Sequence, residues 1–360
     1  MTLPETMQAM VTMGHGDMDQ MVWHENWPRP EPAPGEVLIR VRACGLNNTD
    51  VNTRSGWYSK AVTTATTGDA YDTVHEEDPT WGAAPLSFPR IQGADVCGEI
   101  VAVGSGVDEA RVGERVITDN WLRDAQDLGN INKTGYFGSE RDGGFAEFTT
   151  IPAVNAVAVN SGHSHAELAT FSCSYSTAEG MLTRANVQAS DTVLVPGASG
   201  GVGGALVQLA KRRGARVIAM ASEAKHADVA LLGPDRMLPR SPANLRDALG
   251  DEKITVVADV VGGDYWPTLI DIIERGGRYT CSGAIAGPMV ELDLRTLYLR
   301  DLTFAGSTVI GPEITRTLVR YIENGEVRPA LAATYPLREL HAAQQAFIDK
   351  KHTGNIVVLP

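Results

Sequence analysis

The residues with the clearest chemical content form one short run. Val193-Leu194-Val195 is an apolar strand-like segment, Pro196-Gly197 turns the chain, and Ala198-Ser199-Gly200-Gly201-Val202-Gly203-Gly204 leads into the helically spaced Ala205 to Arg213. Strand, glycine loop and helix in that order make a dinucleotide-binding fingerprint. Here it is a variant, with Ala198 at the first glycine position and Gly200 and Gly203 at the other two. Such glycines let the backbone approach a pyrophosphate, and the helix start offers free N–H groups and a positive dipole end to the anion. A plain tight turn would use the same residues, so the flanking strands and helix carry the assignment.

The next strand, Val217-Ile218-Ala219-Met220, should end near the adenosine ribose. A site for NAD expects a carboxylate there, about 20 residues past the glycines, bonding the ribose 2′-hydroxyl. This chain places Ala221 at that point, with Ser222 beside it, Lys225 just beyond, and Arg240 after the following strand region. A hydroxyl and cations suit a 2′-phosphate, so the expected cofactor is NADPH rather than NADH. Glu223 complicates the count, and Lys225 is also consistent with a solvated helix residue. Ser282 and Gly283 lie at the tip of the strand after Gly277, on the side where such sheets bind their ligands.

The elements that position these residues fall into two grammars. The first third is β-rich: Val37, Ile39 and Val41 alternate with Leu38, Arg40 and Arg42, and Ile100 to Val103 and Arg115 to Ile117 follow. From about Ala166 strands and helices alternate, with further strands at Val256 to Asp259 and Gly277 to Thr280, which predicts βαβ units and a parallel sheet. A helix over Glu313 to Asn324 and a strand over Ile356 to Leu359 close the chain. Between Gly56 and Arg90 lies a long polar excursion holding Trp57, Tyr58, Tyr71, Trp81 and the cluster His75-Glu76-Glu77-Asp78. It is either a lid on the cleft or surface elaboration, and the acidic cluster reads as a solvated face.

Composition removes several classes of function. With 31 basic against 44 acidic residues the 360-residue chain carries a formal charge of −13, so nucleic acid and anionic membranes are not expected partners. No apolar run is long enough for a membrane helix, and the first twenty residues lack the pattern of a signal peptide. Four cysteines, Cys44, Cys97, Cys173 and Cys281, make neither a disulfide framework nor a C-x-x-C pair, which points to a reducing cytoplasm.

Beyond the glycine loop the chain contains Pro34-Gly35-Glu36-Val37-Leu38, Cys44-Gly45-Leu46-Asn47-Asn48-Thr49-Asp50, Gly93-Ala94-Asp95-Val96-Cys97-Gly98, Gly113-Glu114-Arg115-Val116 and Gly143-Gly144-Phe145-Ala146-Glu147. Together these resemble the medium-chain dehydrogenase/reductase superfamily, in its zinc-free, quinone-oxidoreductase-like branch. The resemblance implies an α/β protein: a GroES-like, partly open β-barrel catalytic domain (1–158), a Rossmann domain with a doubly wound parallel sheet (159–308), and a return to the catalytic domain (309–360). It also implies a homodimer, for which Leu302 to Ser307 is a candidate edge. Zinc-dependent members carry a Cys where this chain has Asn47, a His-Glu pair where it has Ala94-Asp95, and a third ligand where it has Cys173. An amide and a methyl group cannot replace thiolate and imidazole. The segment matching the structural zinc lobe, about Trp121 to Arg141, has no cysteine and reads as an ordinary surface loop. His163 and His165 are not expected to bind metal.

Without a Lewis acid, conjugate reduction is the easier chemistry, because the developing enolate needs only hydrogen-bond donors. The resemblance places Asn47 and Tyr58 at the reacting end and Thr177 against the cofactor. Tyr58 can donate to an oxyanion or relay a proton, or simply pack as an aromatic at the domain edge. Asn47 can equally cap the helical turn that follows it. The expected activity is NADPH-dependent reduction of a quinone, enone or related small electrophile. Open alternatives are an enoyl-thioester reductase, a metal-independent alcohol dehydrogenase, or a nicotinamide-binding protein with negligible turnover.

Overall fold

A computed structural model describes residues 3–72 and 86–360, so the His75 to Asp78 cluster and Trp81 lie outside the described residues. The chain begins with an antiparallel hairpin, β1 (Thr6–Thr12) and β2 (Met21–Pro28). Next come β3 (Glu36–Gly45), helix α1 (Asn48–Ser55), β4 (Asp95–Val103) and β5 (Arg115–Thr118). A short ribbon, β6 (Trp121–Leu122) with β7 (Gly135–Tyr136), is followed by β8 (Phe148–Pro152) and β9 (Ala156–Ala158).

Strand β3 organises this half because it pairs with both β4 and β8. Simple alternation turns Leu38 toward solvent, yet Val37, Leu38 and Ile39 are all fully buried. The register with β4 slips between Leu38 and Ile39, a bulge that bends the strand and lets both faces be covered.

The cofactor half is introduced by α2 (Ser172–Arg184) and contains β10 (Thr192–Val195), α3 (Gly201–Arg212), β11 (Arg216–Ala221), β12 (Arg236–Pro239), β13 (Ile254–Asp259), β14 (Ile273–Cys281) and β15 (Thr303–Gly306). The sheet order is β12-β11-β10-β13-β14-β15 with every pairing parallel. Leu194, Ile218, Met220 and Val257 enter one core, while Val193, Val195, Val217, Ala219, Val256 and Ala258 enter the core on the opposite face. Burial on both faces explains why these strands read as continuous apolar runs. Sequential order reverses between β10 and β13, which opens a crevice at their carboxyl ends. Helix α3 begins at Gly201, four residues before the apolar spacing first shows it, because glycines carry no pattern.

The chain returns through α4 (Ile314–Glu323), β16 (Leu331–Pro336), α5 (Leu340–Ile348) and β17 (Asn355–Leu359). Val357 and Val358 of β17 pair antiparallel with Gly45 and Cys44, completing a seven-stranded sheet around β3. Ile314, Leu318 and Ile322 of α4 share a core with Ala178, Met181 and Leu182 of α2, so α4 bridges the two halves. Among the described residues no helix is long and apolar enough to cross a membrane.

Candidate active site and cofactor cleft

The glycine loop leaves β10 into the crevice, and its glycines do different work. A Cβ at Gly203 would lie 2.2 Å from the Gly197 carbonyl oxygen and 2.8 Å from Ala198 Cα, so Gly203 is what lets α3 pack on the strand. A Cβ at Gly201 would meet Asn355 Oδ1 at 2.3 Å and Ser174 Oγ at 2.4 Å, so that glycine serves the seam between the two halves. Gly200, the N-cap of α3, has φ −83°, and the nearest atom to an added Cβ is the Gly197 oxygen at 3.6 Å. That face is open. The first helical bond runs from Gly204 N–H to the Gly200 carbonyl at 2.8 Å, leaving the N–H groups of Gly201, Val202 and Gly203 without helical partners. Gly354 N–H donates to Ser199 O at 2.9 Å, bringing the loop before β17 against the glycines. There Thr353 Oγ1 and His352 Nδ1 are buried without partners. Free donors, an open glycine and orphaned polar atoms fit a nicotinamide dinucleotide.

At the far end Ser222 is half-buried just past β11, and Arg240 stands exposed just past β12. Burial, and then the nearby Arg240 guanidinium, lower the pKa of the Lys225 ammonium, so the structure does bring these two cations together. Lys225 is not a freely solvated residue. Its Nζ donates to the Lys350 carbonyl at 2.6 Å and the His352 carbonyl at 2.7 Å, which leaves one of three ammonium protons for a phosphate.

The reacting end is built where β3, β4, α1 and α2 converge. Asn47 is the N-cap of α1, and its backbone N–H donates to Asp50 Oδ2 at 2.7 Å. Its side-chain amide nitrogen is buried with no partner in hydrogen-bond geometry, yet the amide lies close enough to Asp95 to favour the ionised carboxylate. Asp95 Oδ1 accepts from Asn120 Nδ2 at 2.8 Å and from Cys173 N–H at 2.9 Å, and Asn120 Nδ2 also reaches the Tyr136 hydroxyl at 3.3 Å. Cys173 and Thr177 are half-buried, one turn apart on α2, with their side chains in contact. Tyr58 is half-buried, packs edge-on against Trp57 at 5.7 Å between ring centres, and meets the Asn52 side chain.

Burial dominates the electrostatics. It pushes Asp50 up to about 7, with the Asp95 charge adding to the effect, and Asp95 up to about 6. It also raises the phenols of Tyr58 and Tyr136 and the Cys173 thiol, so these three remain protonated donors at neutral pH.

Asn47, Ala94-Asp95 and Cys173 are thus neighbours, but they offer one amide, one carboxyl and one thiol, with a methyl group in place of an imidazole. That donor set does not fit tetrahedral zinc. Among the described residues no three His, Cys, Asp or Glu side chains group so as to hold a metal ion. His163 and His165 face Glu167 and Glu99, each at 3.9 Å.

One sequence reading needs revision, and one left open is narrowed. The Trp121 to Arg141 stretch is not a plain surface loop, since Trp121, Tyr136 and Phe137 are buried and Trp121 and Tyr136 pack edge-on at 4.9 Å. Its aromatic ends close the site around Asn120. The described part of the Gly56 excursion is more than surface elaboration: Thr66 N–H donates to the Ile285 carbonyl at 3.0 Å, so it spans from the catalytic half to the loop bearing Ser282 and Gly283. Asp50, Asn120, Tyr136, Lys350 and His352 were not singled out from sequence. Only the basic tract Lys350-Lys351-His352 ahead of Gly354 offered a signal.

Comparison with known proteins agrees with this architecture. Residues 33–161 match the model of the alcohol dehydrogenase GroES-like domain, and residues 201–324 match that of the zinc-binding dehydrogenase family. A solved structure of a candidate alcohol dehydrogenase from Sinorhizobium meliloti 1021 is 44% identical with a TM-score of 0.90, covering 99% of this chain and 98% of its own. The acryloyl-coenzyme A reductase of Metallosphaera sedula is 27% identical over 98% of this chain and 99% of its own length. The chloroplastic NADPH-dependent alkenal/one oxidoreductase of Arabidopsis thaliana is 26% identical over 100% and 81%.

Proposed function

We propose that this chain, which belongs to the medium-chain dehydrogenase/reductase superfamily, is an NADPH-dependent reductase of double bonds conjugated to a carbonyl, in enones, quinones or acyl thioesters, acting without a metal. The observation that carries this reading is the donor set. An amide and a methyl group stand at two zinc-ligand positions, while the half-buried, protonated Tyr58 phenol borders the same pocket. Two relatives named for an acryloyl thioester and for alkenals and enones support the substrate class.

When bound, the nicotinamide supplies the hydride. The residues of this chain do the rest. The N–H groups at the start of α3 hold phosphate oxygens, and Lys225 with Arg240 favours the 2′-phosphate. Thr177 on α2 and Ser282 and Gly283 beyond β14 border the nicotinamide pocket. The Tyr58 O–H donates to the substrate oxygen on which negative charge builds, and the unpartnered Asn47 amide is a second donor. Preorganised donors of this kind stabilise such an oxyanion by about 3–4 kcal/mol each. The excursion from Trp57 to Tyr71 excludes water by bridging the cleft. Strand β15 is the edge of the parallel sheet, and we assign it to pairing with a second copy in a homodimer.

The test is steady-state oxidation of NADPH against a panel of enones, quinones and acyl thioesters, with ketones and alcohols in parallel. Turnover of the conjugated acceptors, unchanged in EDTA, is the expected result. Activity lost in EDTA and restored by zinc refutes the metal-free mechanism. The 44% identity to a candidate alcohol dehydrogenase favours a second reading, metal-independent alcohol–ketone interconversion, which activity confined to ketones and alcohols would establish. Tight NADPH binding without any acceptor would instead mark a binding protein.

A further inference from the structure

Residues Ser55 to Tyr71 make a loop whose ends meet, since Tyr71 N–H donates to the Ser55 carbonyl at 3.2 Å. Its own side chains fill it, as in an Ω loop. From one end the Trp57 indole N–H donates to Thr64 O at 3.0 Å, and from the other the Tyr71 hydroxyl donates to Ala65 O at 2.8 Å. Two aromatic crosspieces therefore grip the chain just ahead of Thr66, the residue whose N–H reaches the Ile285 carbonyl at 3.0 Å. Trp57 also packs edge-on against Tyr58, so the oxyanion donor assigned above is tied to the same crosspiece.

The supports of this loop are stiff on both sides of the cleft. On the catalytic side Gly68 lies at φ 90°, and a Cβ there would sit 2.5 Å from Ile348 Cδ1 of α5, so the base of the loop is pressed on that helix. Arg54, fully buried near the end of α1, forks to Gly68 O at 3.0 Å, Gly16 O at 2.6 Å and Gln344 Oε1 at 3.3 Å. Asp17, exposed on the β1–β2 turn, accepts from Ala70 N–H at 2.7 Å. On the cofactor side the loop bearing Ser282, Gly283 and Ile285 is knitted to the end of β13. Ala286 N–H donates to Val261 O at 2.8 Å, and the N–H groups of Val261 and Gly262 donate to the Asp259 carboxylate. The Thr66–Ile285 bond thus joins two stiff bodies, one carrying Tyr58 and the other carrying Ser282 and Gly283.

We propose that the Ser55–Tyr71 loop is a latch that docks Tyr58 against the cofactor half, with Thr66 as its catch and Asp17 as a remote positioning residue that holds its base. The proposal rests on the reductase reading above, because the latch acts through the Tyr58 hydroxyl. Undocked, that hydroxyl is no longer fixed relative to the loop bearing Ser282 and Gly283, and a displaced donor forfeits its bond to a developing oxyanion. Each tie is one hydrogen bond, so its loss weakens docking by about three- to tenfold, and turnover falls with the docked fraction. The glycine loop that receives the cofactor phosphates is a separate element, so NADPH affinity should change little.

The experiment measures turnover at saturating NADPH and saturating acceptor, using the enone, quinone or acyl thioester that the wild type reduces fastest, with NADPH affinity from fluorescence titration. Removing the buried Arg54 endangers folding, so the ties are cut at Asp17 and Thr66. Asp17→Ala deletes the acceptor for Ala70 N–H and is compared with wild type. Thr66→Pro deletes the N–H and is compared with Thr66→Ala, which keeps it. Each comparison should show turnover lowered about three- to tenfold, with NADPH affinity within about twofold. Repeated in Tyr58→Phe protein, the same changes should cost less than about 1.5-fold, because the hydroxyl they position is gone. Unchanged turnover in either comparison overturns the proposal. So does a loss of equal size with and without the Tyr58 hydroxyl, which a purely structural role produces. A wild type that oxidises NADPH with none of the acceptors overturns the reductase reading itself, and the latch with it.

Discussion

Two alanine substitutions three residues apart should separate binding from folding in the glycine loop. At Gly203 an added methyl group would lie 2.2 Å from the Gly197 carbonyl oxygen and 2.8 Å from Ala198 Cα, both backbone atoms of the β10–α3 turn. Real contacts of this kind are rarely under 3.4 Å, so α3 must shift by about 1 Å against a core containing Leu206, Leu209 and Ala210, all fully buried. Overpacking of that sort costs about 1–3 kcal/mol or more, which lowers the unfolding temperature by several degrees. At Gly200 the backbone is at φ −83°, acceptable to any residue, and no atom lies closer than 3.6 Å to the added carbon. Only the weaker N-cap preference of alanine opposes Gly200→Ala, at about 1 kcal/mol or less. Its methyl group would occupy the open face where phosphate oxygens approach. Gly200→Ala should therefore unfold near the wild-type temperature yet bind NADPH more than tenfold more weakly, whereas Gly203→Ala should lose stability first. Thermal unfolding without ligand and fluorescence titration with NADPH measure the two effects. Gly200→Ala with wild-type affinity would show that the loop does not receive the phosphates. An unshifted unfolding temperature for Gly203→Ala would refute the packing argument.

Other perturbations follow from the same geometry. Tyr58→Phe should reduce turnover about a hundred- to a thousandfold with NADPH affinity within about twofold, since one donor to the oxyanion is lost; equal turnover would leave Tyr58 a packing residue. Lys225→Met should weaken NADPH about tenfold while NADH changes less, because a 2′-phosphate contact is lost; equal losses for both would move Lys225 away from that phosphate. Asp95→Asn keeps an oxygen for the Asn120 and Cys173 N–H groups but removes a charge. Burial holds the Asp95 carboxyl up to about 6, above its unfolded value, so its stabilising contribution is complete at acidic pH and is lost as pH rises through about 4 to 6. The variant should accordingly unfold at a higher temperature than wild type at pH 8, by on the order of 2–6 °C, with the gap closing toward pH 4. A gap independent of pH would mean that this carboxyl is not the titrating group.

Legibility in the sequence followed the physical origin of each feature. The parallel sheet was readable because both of its faces are buried, which leaves unbroken apolar runs such as Val193 to Val195 and Val256 to Ala258. The glycine loop was readable because its residues are dictated by close approach, at Gly203 to β10 and at Gly201 to Asn355. Leu38 was misplaced by alternation, because a bulge is a property of pairing and leaves no period. The partners of Asp95 were invisible for a similar reason: Asn120 and Cys173 lie 25 and 78 residues away in the chain, and only the curl of β4 against α2 brings them together.

The polar cluster around Asp95 bears on the proposed metal-free reaction. A zinc site needs its ligands ionised or neutral and free of protons, which favours an environment that stabilises thiolate. Here the environment does the reverse. Burial and the carboxyl groups of Asp95 and Asp50 raise the Cys173 thiol, and the same burial raises the phenols of Tyr58 and Tyr136. Replacing cysteine by Asn47 and histidine by Ala94 therefore does more than subtract two ligands. It leaves a pocket in which the phenols of Tyr58 and Tyr136 and the Cys173 thiol keep their protons, and such donors are matched to the proposed reaction, whose transition state gathers negative charge on oxygen. The excursion that joins Thr66 to Ile285 reinforces this match, since a hydrogen bond to a developing oxyanion strengthens as water is excluded.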